Sequence, residues 1–257
     1  MSAQRSRPAA ACRSRRRSGT ALAGVLAGIL AIAAGAAHAA GLPERFDAQF
    51  VLSARGMDIA QTRWQLAPAG EGRYVYSAHS EAIGVAKLLR DERIEERSEW
   101  RFSRGGAVTP LHYSYTRSGG KRERAVQVRF DWQGGRVHNT LNGHSWSAPI
   151  EPGTLDKLVY VLELMRDLAN GAREATYEVA DGGKVKTYRL KVVGEERVET
   201  VLGPLHTLVV ERRRDEDDEF TVVWCAPALR YLPVQVEHRE DEGTVRLTLT
   251  GVDGLSP

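Results

Sequence analysis

The chain has 257 residues, of which 42% are hydrophobic and 27% charged, the balance of a globular protein rather than an intrinsically disordered one. Two cysteines exclude a disulfide-dense miniature fold and a zinc site of four thiolates. The 36 Lys+Arg exceed the 33 Asp+Glu, and where that surplus lies decides what it means.

It lies in residues 1–39, which hold Arg5, Arg7, Arg13, Arg15, Arg16 and Arg17 and no acid. An apolar run from Thr20 to Ala37 follows, and Ala37-His38-Ala39 makes a small-x-small cleavage pattern. This is the order of a secretory signal peptide, with Ala40 as the first residue after cleavage. A retained membrane anchor is the alternative, at the short end for a spanning helix. Arg15-Arg16-Arg17 raises the twin-arginine route, but Ser18-Gly19-Thr20 lacks the hydrophobic residues that follow such a pair, so Sec export to the periplasm is expected. Removing the six arginines from the 36 basic residues leaves 30 against 33 acids. Net charge therefore gives no support for a nucleic-acid partner. Cys12 leaves with the signal. Cys225, within Val222-Val223-Trp224-Cys225-Ala226, reads as a small buried hydrophobe, with a reactive thiol as the alternative.

Residues 40–257 read as one mainly-β domain. Phe46–Ala54 and Ile59–Leu66 are the first strands, the second with Ala60, Thr62, Trp64 and Leu66 on one face. Residues 68–72 form a loop, and Arg73–Ser80 is a third strand. A short helix is expected over Ile83–Leu89. Strands follow over Glu92–Ser103, Leu111–Thr116 (Leu111, Tyr113 and Tyr115 on one face) and Ala125–Trp132 (Val126, Val128, Phe130 and Trp132 inward). Turns at Gly119-Gly120 and Gly134-Gly135 separate them.

The main helix follows Pro152-Gly153, with Thr154 as its N-cap and Asn170-Gly171 as its stop. Leu155, Leu158, Val159, Leu162, Met165 and Leu168 share one face, which should pack on the concave side of the sheet. Strands resume over Glu174–Val179, Lys184–Val193, Arg197–Val201, Leu205–Arg212, Phe220–Cys225, Pro233–Glu237 and Thr244–Thr250, with turns at residues 181–183 and 241–243. The expected fold is a curved antiparallel sheet, or an open or half β-barrel, with one main α-helix packed against it.

Residues that carry chemistry are scattered. The run Arg212 to Glu219 reads as a solvated hairpin tip, with cation binding as the lesser alternative because its acids are contiguous rather than spaced as a cage. His138 and His144 flank the Asn142-Gly143 turn but lack a third ligand, so no metal site is expected. No GxSxG, GxGxxG or GxxxxGK[ST] pattern occurs, so neither a serine nucleophile nor a cofactor is indicated. Glu92, Glu95, Glu96 and Glu99 read as a solvated strand face.

The aromatics are the most informative set. Trp64, Tyr74, Tyr76, Trp100, Phe102, Tyr113, Tyr115, Phe130 and Trp132 fall on successive strands. On a curved sheet they form either a filled core or a wall for an apolar ligand.

Three segments carry a family resemblance: Leu155-Asp156-Lys157-Leu158 with Tyr160, Gly203 to Val210, and Trp224-Cys225-Ala226-Pro227-Ala228-Leu229-Arg230-Tyr231-Leu232-Pro233-Val234. They resemble an exported bacterial family known as domain of unknown function 3108, over residues 45–250. The resemblance implies a periplasmic, mainly antiparallel protein without assigned activity. The plan also looks like the periplasmic lipoprotein-carrier fold, a likeness of fold rather than function. Trp224 is expected to pack and Pro233 to start an edge strand. The expected function is a non-enzymatic binder of an apolar or lipid-like envelope ligand. The alternative is an envelope interaction module with a filled core and a protein partner, and an enzyme is the third reading.

Overall fold

Alternating apolar residues and glycine-marked turns produce long strands joined mostly by tight hairpins. The computed structural model of the protein describes residues 41–89, 91–120, 123–214, 220–240 and 243–255. The expectations for residues 1–39, for the acidic run 215–219 and for the turn at 241–242 lie outside the described residues.

A first meander contains β1 (Phe46–Ala54), β2 (Met57–Gly70), β3 (Arg73–Ala82), β4 (Arg93–Phe102), β5 (Val108–Ser118), β6 (Arg124–Asp131), β7 (Arg136–Leu141) and β8 (His144–Pro149), with helix α1 (Gly84–Leu89) between β3 and β4. After it come β9 (Leu155–Asp156) and helix α2 (Tyr160–Ala169). A second meander follows: β10 (Glu174–Asp181), β11 (Lys184–Thr200), β12 (Gly203–Arg214), β13 (Phe220–Ala226), β14 (Leu232–Glu240) and β15 (Gly243–Asp253). Among the described residues these make one fifteen-stranded sheet. Its order follows the chain within each meander, and the β1–β15 pair joins the two. Every ladder is antiparallel except the short β9–β10 pair. The fold is mainly β, as expected.

Turn chemistry is local. Asn142 and Gly143 both take positive φ (48° and 87°), the requirement of a two-residue hairpin turn that matches strand twist. Bulges bend the strands. Leu111 has no partner between the pairs Trp100–Pro110 and Glu99–His112, and Val193 none between Val192–Val210 and Gly194–Val209. The bulge carries the strand through Val193, so Lys184–Val193 and Arg197–Val201 are one strand, not two.

The sheet curls until its ends meet. Trp146 on edge strand β8 donates its indole N–H to the Gly183 carbonyl in the β10–β11 turn at 2.7 Å. On the other side β9 reaches across to β5, and Ser98 Oγ donates to Asp156 Oδ2 at 2.5 Å. Inside the curl, Phe46, Phe50, Leu66, Trp100, Val128 and Phe130 meet Leu162, Met165 and Leu168 of α2 in one core. Each such side chain contributes about 1.5–3 kcal/mol relative to exposure.

Two local expectations are corrected. Thr154 does not cap the helix: Leu155 and Asp156 are drawn into the β9 strand, and α2 begins only at Tyr160. Asp156 takes over part of the capping, its Oδ1 accepting the backbone N–H groups of Leu158 and Val159 at 2.8 and 2.9 Å. Pro233 does not start an edge strand. It lies in β14, between β13 and β15, where the register shift beside Cys225 accommodates a residue without an N–H. Trp224 is buried, as expected, and its indole donates to Glu196 Oε2 at 2.7 Å. No helix among the described residues is long and apolar enough to cross a membrane.

Candidate ligand-binding cleft

The core does not fill the whole curl. A cleft of ≈ 280 Å³ opens between α2 and the concave faces of both meanders, close to the lower end of the roughly 300–1,000 Å³ typical of small-molecule sites. One wall is apolar: Leu52, Trp64, Val223, Val236 and Leu247 come from the strands, and Val161 and Leu164 from α2. The alternation of the strands puts these side chains inside, and the 3.6-residue period of the helix turns Val161 and Leu164 toward them.

The other end is polar. Arg212, on the inner face of β12, donates from Nη1 to Tyr160 Oη and from Nη2 to Thr221 Oγ1, both at 2.7 Å. Its guanidinium lies 5.6 Å from the Tyr160 ring centroid and 4.8 Å from that of Tyr188, within cation–π range. The two rings meet edge to face at 5.2 Å. Thr221 Oγ1 continues the chain to His238 Nδ1 at 3.0 Å. From the opposite wall Glu96 accepts the Tyr113 hydroxyl at 2.7 Å. The Tyr76 hydroxyl is fully buried and has no hydrogen-bond partner among the described residues.

Burial first, then the charge of neighbouring groups, raises the phenols of Tyr76, Tyr113 and Tyr188 well above the usual tyrosine range, so all three are neutral donors at physiological pH. Burial pushes the Asp156 carboxyl up to about 6, against the opposing pull of its Ser98, Val159 and Leu158 hydrogen bonds. Cys225 is fully buried, and burial alone pushes its thiol up, which removes the thiolate needed for reactivity.

The nine aromatics proposed as a wall separate. Trp64 and Tyr76 line the cleft. Trp100, Tyr113 and Phe130 are buried in packed core, while Tyr74, Tyr115 and Trp132 are partly buried against it. Phe102 is 38% exposed. Five of the nine pack on one another away from the cleft: Tyr74, Trp100 and Phe102 lie together at 4.8–5.5 Å, and Phe130 stacks on Trp132 at 5.5 Å.

Sequence reasoning missed Arg212 and Glu96. Both stood in charged runs read as solvated. The available signal was parity: Arg212 follows Leu208 and Val210 at two-residue steps, and Glu96 lies between Ile94 and Ser98 on the inner face of β4. Glu92 and Glu99 are claimed by Arg117 and Arg73, and Glu95 is exposed. His138 does not converge with His144. It lies beside Arg129, which pairs with His112 on the next strand. These three residues line an open trough of ≈ 310 Å³ on the outer face of the sheet, whose polar, water-exposed wall suits an apolar ligand less well than the interior cleft does.

A family model described as a protein of unknown function, DUF3108, matches residues 45–250. No curated protein matches the chain. Among solved structures, the chain is similar to a β-barrel-like protein of the domain of unknown function DUF1849 from Brucella abortus. The two share 9% identity at a TM-score of 0.56, over 83% of this chain and 98% of that one. A candidate lipoprotein from Parabacteroides distasonis aligns at 11% identity and a TM-score of 0.33, over 83% of this chain and 97% of the other. The first likeness supports the barrel-like fold; the second carries no argument.

Proposed function

The chain belongs to the DUF3108 family of proteins of unknown function, and we propose that it is an exported, periplasmic, non-enzymatic protein that holds an apolar or lipid-like envelope ligand in the cleft inside its curled sheet. The observation that carries this reading is the cleft itself. It opens between both meanders and α2 and is walled by Trp64, Val161, Leu164, Val223, Val236 and Leu247. A folded core packs to crystal-like density with few voids larger than water, so an apolar cleft of this size suits an occupant.

Native mass spectrometry tests this on protein recovered from the periplasm without detergent, followed by solvent extraction. Bound mass that extracts as lipid is the expected result. A bare chain mass that envelope lipids leave unchanged rejects the reading.

The second reading, a docking module for an envelope protein, is favoured by one observation. Met57, Val85 and Leu88 are 62%, 68% and 86% exposed, where α1 packs against β2. If that reading is right, Val85→Ser with Leu88→Ser abolishes partner capture and leaves any lipid mass in place.

A further inference from the structure

The polar end of the cleft carries more chemistry than a purely apolar ligand needs. Resting on the reading that the cleft holds a ligand, we infer that Arg212, with the Tyr76 and Tyr160 hydroxyls, anchors the carboxylate of a fatty acid whose hydrocarbon chain lies along Trp64 and the apolar wall.

The guanidinium offers five N–H donors. One bond each from Nη1 and Nη2 goes to Tyr160 and Thr221, and Nε is buried without a partner among the described residues. No carboxylate among the described residues forms an ion pair with it. Asp181, the acid whose charge reaches it, is engaged by Tyr188 at 3.1 Å and by Lys186 and Lys157 at 3.4 and 3.8 Å. An enclosed cation without a counter-ion is unfavourable, and its planar fork matches a carboxylate in bidentate fashion. The flanking rings of Tyr160 and Tyr188 hold that fork in place.

Tyr76 points to the same ligand from the facing wall. Its hydroxyl is wholly buried and has no partner among the described residues, and Tyr76 lines the same cleft as Tyr160 and Glu96. A neutral phenol in that position is a donor lacking an acceptor, and a carboxylate oxygen supplies one. Glu96, held by Tyr113, puts negative charge in the same cleft, while Lys157 of the same lining is drawn to Asp181 at 3.8 Å. A dianionic phosphate is repelled there more strongly than a singly charged carboxylate. The donors therefore favour one carboxylate at the polar end and a single chain along the apolar one.

Protein expressed from the full chain is titrated calorimetrically with dodecanoate, dodecanol and dodecyl phosphate. Dodecanoate should bind the wild type at least tenfold more tightly than either of the others. Arg212→Met should weaken dodecanoate about tenfold or more, the scale of a lost charge-assisted hydrogen bond, and leave dodecanol unchanged. Tyr76→Phe keeps the ring and removes only an unpartnered hydroxyl, so it should fold normally and weaken dodecanoate severalfold. Equal binding of dodecanoate and dodecanol, unchanged in both variants, overturns the anchor while leaving an apolar binder. Preference for dodecyl phosphate overturns the carboxylate assignment. If none of the three binds, the anchor falls together with the reading on which it rests.

Discussion

At the scale of single residues, the interior is decided by which polar groups find partners. Asp156 is fully buried yet served by Ser98, Leu158 and Val159, and burial raises its carboxyl to about 6. A carboxyl that is easier to protonate folded than unfolded favours the native state most at low pH. That contribution should decline as pH rises from about 4 to 6 and stay flat above, a span of up to about 3 kcal/mol at 1.36 kcal/mol per unit. Asp156→Asn keeps the same shape, accepts the same two backbone bonds and mimics the protonated form. Urea denaturation at pH 4.5 and 7.5 should therefore show a smaller pH difference in the variant, and an undiminished difference would reassign the effect. Cys225 makes a simpler case: iodoacetamide should label it only after denaturation, and labelling of the native protein would contradict its burial.

At the scale of elements, helix α2 and an edge contact both help to hold the sheet curled. Helix α2 fills the concavity with Leu162 and Met165, which are essentially inaccessible. Leu162→Ala should cost about 2–5 kcal/mol, the range for truncating a buried leucine, read as a lowered urea midpoint. The edge contact is the clasp of Trp146 on Gly183. Gly183 has φ +87°, and a Cβ there would lie 1.9 Å from the Trp146 ring, so the turn needs glycine both for its backbone conformation and for the close approach of the indole. Trp146→Ala should raise amide exchange in β8, which has no strand partner on its outer side among the described residues. Gly183→Ala should do the same by displacing the ring. Exchange in β8 that matches the wild type in both variants would show that the clasp does not hold this edge.

At the scale of the whole molecule, a meander pairs each strand mainly with its chain neighbours, and among the described residues β1–β15 is the one ladder between the two meanders, spanning a long sequence separation. The arrangement leaves an interior cleft, with β1–β4 on one side, β11–β15 on the other and α2 across it. A ligand in that space touches both halves and stabilises the native state by mass action. Adding dodecanoate at a large excess over its dissociation constant should therefore raise the melting temperature of the wild type and raise that of Arg212→Met less.

What the sequence determined by itself was local. Strand identity, most turns and the apolar stripe leading into α2 are written in periodicities and turn residues that need no partner to be read. Even there, Asp156 left the helix because a β10 neighbour distant in sequence recruited Leu155 and Asp156 into a ladder. The cleft was decided by tertiary structure. Nine aromatics with suitable parity looked interchangeable, yet of these only Trp64 and Tyr76 border the space, the others lying in or against the packed core or, for Phe102, exposed. Arg212 looked like one more charge at a hairpin tip. Its place between Tyr160 and Tyr188 depends on α2 crossing the sheet at that level, a relation between segments some fifty residues apart that no local pattern encodes.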